Sequence, residues 1–151
     1  MAKMDAVDVL NELVHTSEDG EKGFNEAARI AQDPKLILMF QECAQQCHGA
    51  VTALQAKVSA LGGKPDDRGS VAGAAHRGWV KAKAAVADSD IAVLEEVERG
   101  EDHAKAVFAR ALKADLPEDV RRLVQEQLDG TIRNHDRVRN LRDRHRAHVQ
   151  G

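Results

Sequence analysis

The chain's only two cysteines, Cys43 and Cys47, fall one helical turn apart in the stretch FQECAQQCHGA, with His48 beside the second. Thiolate and imidazole are both metal donors, and so is carboxylate. Glu21 precedes Pro34 by about as many residues as Cys47 follows it, and Glu98 and His135 stand in the same relation to Pro117. Glu101 lies one helical turn nearer that second proline. If each proline marks a hairpin turn, Glu21, Glu98, Glu101, His135, Cys47 and His48 come to one height on neighbouring helices. Facing helices can offer carboxylates and imidazoles to a common point inside a bundle. Carboxylate with imidazole suits iron, manganese or zinc, and added thiolate favours zinc or copper(I). No cofactor is specified beyond that.

Plainer chemistry competes with the metal. Free cysteine is among the most buried residues and packs as a small hydrophobe, so Cys43 and Cys47 serve a core equally well. His135 bonded to Glu21 or Glu98 makes a buried polar pair that sets helix register. The di-iron pattern also requires Glu-x-x-His on the second and fourth helices. Gln45 stands where that glutamate belongs before His48, and Ile132 where it belongs before His135. This argues against an oxidase or ferroxidase.

The elements that must position these groups are helices. Apolar residues recur at spacings of three and four in nearly every segment, and no alternating strand pattern occurs. One stripe runs from Val7 to Ala31, a second from Leu36 to Leu61, a third from Ile91 to Ala111 and a fourth from Val120 to Leu141. Asp33-Pro34 and the stretch ADLPED read as tight turns, with proline at or near a helix start. GGKPDDRGS is a loop by its turn residues. After it, Ser70 can cap a shorter helix carrying His76, Arg77 and Trp79. The link over residues 62–89 is too long for a hairpin. A helix of about 17 residues there rises about 25 Å, enough to return the chain along a bundle. Two hairpins joined by one crossover is the ferritin-like connection. Two hairpins also fit a faint internal repeat, DGEK at 19–22 echoed by RGED at 99–102.

Composition agrees. With 42% hydrophobic, 31% charged and 3% aromatic residues, the chain is rich in helix formers and poor in strand formers. Its length suits a single domain over 1–151. The net charge of −3 exerts no general pull on nucleic acid or membranes. No segment approaches the ~20 apolar residues of a membrane span, and the N-terminus lacks a signal-peptide apolar run, so a cytoplasmic protein is expected. Glycines gather near the polar height, at Gly20, Gly23, Gly49, Gly100 and Gly130, as if backbones approach closely there. The arginine-dense stretch RNHDRVRNLRDRHRAHVQG can pair internally through Asp136 and Asp143. It lacks the interleaved aromatics of single-strand binding. Its excess length offers an overhang for a homodimer.

DGEKGFNEAA, LGGKPDDRGSVAGAAHRGW, EEVERGED and HDRVRNLRD together resemble a bacterial family of ferritin-like four-helix bundles, domain of unknown function 2383. Family-like positions include Glu21, Glu101, Asp102, His135 and Arg142, whereas CAQQCHG is atypical. The resemblance implies an all-α, ferritin-like up-down bundle with a long crossover carrying a fifth short helix. It assigns no activity. The expectation is a non-enzymatic binding or stress-related protein with a mid-bundle metal site. The alternative is a structural or dimerising module whose inner Glu and His residues form a buried polar network.

Overall fold

In the computed structural model, residues 5–65 and 89–150 are described, and they form four α-helices. These are α1 (Ala6–Ile30), α2 (Pro34–Ala60), α3 (Ser89–Ala111) and α4 (Glu118–Gln150). No strand occurs among the described residues. The short helix expected after Ser70 lies outside them.

Helices α1 and α2 begin where the sequence supplies a partner for the first free N–H groups. Asp5 caps α1 by accepting from the Asp8 N–H at 2.9 Å, and Asp33 caps α2 by accepting from the Lys35 N–H at 2.9 Å. Pro34 opens α2, where a missing N–H costs nothing. That helix closes with the Gly63 N–H bonded to the Val58 carbonyl at 3.0 Å. Gly62 takes a φ of 80° there, a conformation that favours glycine. At the α3–α4 turn, Arg121 donates to the carbonyls of Leu112 and Ala114 at 2.5 and 2.8 Å, covering groups left open as α3 ends.

Cross-helix contacts set the directions. Gly20 lies against Cys47 and Val7 against Gly63, so α1 and α2 are antiparallel. Asp90, at the start of α3, reaches the α1–α2 turn, while Arg110 near its end lies 3.8 Å from Glu12. Glu95 pairs with Arg146 and Asp102 with His135 across α3 and α4. Lys57 pairs with Asp119 and Glu42 with Arg137 across α2 and α4. Every helix therefore runs antiparallel to both of its neighbours. The α2–α4 seam is the thinnest of the four.

The apolar interior comes in two clusters. One holds Leu10, Leu13, Val14, Leu54, Val58, Phe108, Val120 and Val124 at the end carrying the α3–α4 turn. The other holds Phe24, Leu36, Met39, Phe40, Cys43, Val93, Leu94 and Val138 at the end carrying the α1–α2 turn. Cys43 is core, and burial pushes its thiol up to about 12. Both cysteines are free. Among the described residues, no helix is long and apolar enough to cross a membrane.

Asp90 latches the two hairpins together at one end. Its carboxylate accepts from the Gln32 N–H at 2.7 Å and the Asp33 N–H at 3.1 Å. Replacing it by alanine leaves both donors without that partner. Asp90→Ala is expected to destabilise the bundle by about 1–3 kcal/mol in chemical denaturation, and a change below a few tenths would show that the latch bears no load.

Candidate functional site

A polar belt separates the two clusters. α1 contributes Thr16, Ser17 and Gly20, α2 contributes Gln46 and Cys47, α3 contributes Glu98 and Glu101, and α4 contributes Thr131, Asn134 and His135. Ser17, Glu98, Glu101, Asn134 and His135 are all buried. Helical spacing explains the assembly. Glu98, Glu101 and Asp102 fall within little more than one turn of α3. His135 and Arg142 are seven residues, or two turns, apart on the face of α4 toward α3.

The centre of the belt is ionic. The Arg142 guanidinium donates directly to the Glu98 carboxylate, and both side chains are largely buried. His135 lies beside them, its Nε2 2.8 Å from Asp102 Oδ1 and 3.8 Å from Glu98. On its other side, Nδ1 is 3.1 Å from Asp136 Oδ1. Carboxylates only accept, so a ring nitrogen that carries a proton donates to the carboxylate it faces. The hydrogen bond from His135 holds the Asp136 carboxyl below its ordinary range, with Arg139 adding to the effect. Further along α4, Arg146 approaches Glu95 at 3.4 Å, extending the ladder of charges between α3 and α4.

One turn away is a crevice of about 30 Å³, the space of about one water molecule. Thr16, Gln46, Cys47, Glu101, Gln127 and Asn134 are among its lining residues. Two glycines make room for α2 here. A Cβ on Gly20 would stand 3.2 Å from the Cys47 sulfur, and one on Gly130 would stand 2.8 Å from Gln46 Nε2. Gly23 and Gly49 have no neighbour at that range, so close approach at this height belongs to specific glycines rather than to the whole group.

Glu101 is 5% exposed, and burial raises its carboxyl to about 8, with Asp102 adding to the shift and Lys105 opposing it. The Cys47 thiol is also raised well above its ordinary value, by burial first and then by Glu101 and Cys43. At neutral pH both groups keep their protons. The crevice therefore offers hydroxyls, amides, a carboxylic acid and a thiol, a neutral hydrogen-bonding set. A protonated thiol is a poor nucleophile and a poor metal ligand.

The six sequence candidates thus fall into three places. Glu98 and His135 join the ionic centre, while Glu101 and Cys47 face the crevice. Glu21 and His48 form a separate pair at 3.2 Å on the outer side of α1 and α2, with side chains 28% and 68% exposed. Such a pair contributes less than about 1 kcal/mol. Among the described residues, no three His, Cys, Asp or Glu side chains form a group that could hold a metal ion. The donors also fit a cation poorly, because Arg142 already brings positive charge to Glu98. The candidates omit Gln46 and Asn134, as well as Glu96, which is fully buried with Arg99 3.4 Å away.

The chain belongs to the family described as Domain of unknown function (DUF2383), whose model matches residues 5–114. No curated protein matches the chain. The matched span takes in α1, α2 and α3, and so Glu98 and Glu101. His135 and Arg142, on α4, lie beyond it.

The shift of Glu101 has a definite sign. Its native carboxyl binds a proton more tightly than the unfolded one, whose ordinary value is 4.5. Its contribution to stability is complete below that value and is lost as pH rises through about 8. Glu101→Gln cannot ionise. Its stability relative to the parent is expected to grow by a few kcal/mol between about pH 5 and pH 9 in denaturant titrations, and a difference independent of pH would place the Glu101 carboxyl in contact with water.

Proposed function

We propose that this protein is a non-enzymatic interaction module, a ferritin-like bundle whose inner Glu and His residues form a closed polar network. The carrying observation is the Arg142 guanidinium seated on the largely buried Glu98 carboxylate. In that place a basic side chain does what a metal ion would do, neutralising buried carboxylate. Support for the ferritin-like connection comes from four helices each antiparallel to its neighbours, with two hairpins joined by the long link between α2 and α3.

The members of the network engage one another. Glu98, His135 and Asp102 bond one another or Arg142, and the thiol and carboxyl facing the crevice retain their protons. What it provides is specificity of assembly: a shifted register between α3 and α4 would bury Glu98 without its cation. Removing one member of such a pair typically costs several kcal/mol. A mid-bundle metal, the rival reading, requires Arg142 to be displaced from Glu98 and both Glu101 and Cys47 to lose protons.

Protein purified without a histidine tag separates the two. It is expected to carry less than about a tenth of an equivalent of any transition metal and to melt at the same temperature with and without chelator, since metal that binds only the native state raises stability. A stoichiometric metal whose removal lowers the melting temperature would favour the rival.

A further inference from the structure

The side of α4 that flanks α2 and faces solvent carries a row of exposed charges, two of which, Asp119 and Arg137, also pair with Lys57 and Glu42 of α2. Asp119, Glu126, Asp129, Arg133, Arg137 and Arg144 recur at helical spacing and are all exposed. Their order is not random: acids occupy the first half of the row and arginines the second. Over residues 118–129, four acids stand against two arginines, and over residues 130–150, six arginines stand against two aspartates. A second α4 laid antiparallel along the row sets each acid beside an arginine. Asp119 meets Arg144, Glu126 meets Arg137, and Asp129 meets Arg133. Each sum of positions is close to 262, so one register satisfies all three, and two-fold symmetry makes each contact twice. A parallel arrangement sets like charges together.

The ground beside the row is shaped for a neighbour. The thin α2–α4 seam leaves a groove of about 430 Å³ lined by Ala53, Ala56, Ala60 and Leu123. Its rim carries Lys57 and Arg122 against Asp119 and Glu126, equal numbers of opposite charges. The chain leaving α2 turns the other way: Gly63 lies against Val7, and the Lys64 carbonyl accepts from Asn11 Nδ2 at 3.2 Å, both on α1.

We propose that this face pairs two copies of the chain, with α4 antiparallel to α4 across a two-fold axis near residue 131. The pairing deepens the reading of the protein as an interaction module but rests on surface residues alone, so the metal and chelator results bear on the network and not on the dimer. Exposed ion pairs are screened by salt, and charge matching chiefly selects partner and register. A reversible, salt-sensitive dimer follows.

Sedimentation equilibrium on the full chain at about 100 μM tests this, in about 50 mM and about 1 M salt. A dimer is expected at low salt and dissociation at high salt. Asp129→Arg sets arginine against Arg133 of the second copy and is expected to weaken association at least about tenfold. The exchange Asp129→Arg with Arg133→Asp restores opposite charges and is expected to recover it. Both positions are exposed, and helical circular dichroism confirms that each variant folds. A monomer at low salt, a dimer unmoved by Asp129→Arg, or a failure of the exchange to recover association would each overturn the proposal.

Discussion

Burying a carboxylate between two hydrophobic clusters costs several kcal/mol unless a cation and hydrogen bonds replace the water it loses. Glu98 meets that constraint through Arg142 from the facing helix, with His135 alongside and Asp102 beyond. The rest of the bundle is organised around holding those groups level. Apolar residues fill both ends but do not by themselves choose a register, because a slid helix still buries leucine against valine. Misplacing one charge by a turn exposes the whole cost.

The other half of the belt works by neutrality rather than pairing. Glu101 and Cys47 face a crevice of about one water's volume, surrounded by amides and hydroxyls, and burial keeps both protonated. One buried carboxylate is thus kept beside Arg142, and the other stays a neutral acid because burial outweighs the pull of Lys105. Gly20 and Gly130 let Cys47 and Gln46 lie close to α1 and α4 at this height. Together the two halves leave the middle of the bundle polar, while each end closes over hydrocarbon.

The four long helices and both proline turns were legible because 3.6-residue periodicity and capping residues are local signals, and the caps at Asp33 and Pro34 stand where the sequence places them. Counting outward from the turns also brought Glu98 level with His135 and Glu21 level with the Cys47–His48 stretch, since antiparallel helices keep a common rise. What such counting lacks is azimuth. It cannot tell that Glu21 and His48 pair on the outside while Glu101 points in, because one helical position turns a side chain by about 100°. Arg142 stands out in the sequence as a family-like position within a basic run, but its place at Glu98 depends on the facing helix. Glu96, one of three glutamates within the stretch LEEVE, carries no signal that sets it apart from the others.

Glu98 and Arg142 act as one unit. A double-mutant cycle on Glu98→Gln and Arg142→Gln, read by denaturant unfolding, measures that directly. A coupling energy of about 1–3 kcal/mol is expected, with the double variant less destabilised than the two single losses added together. Simple additivity, with a coupling near zero, would contradict it and leave the buried carboxylate open to another cation.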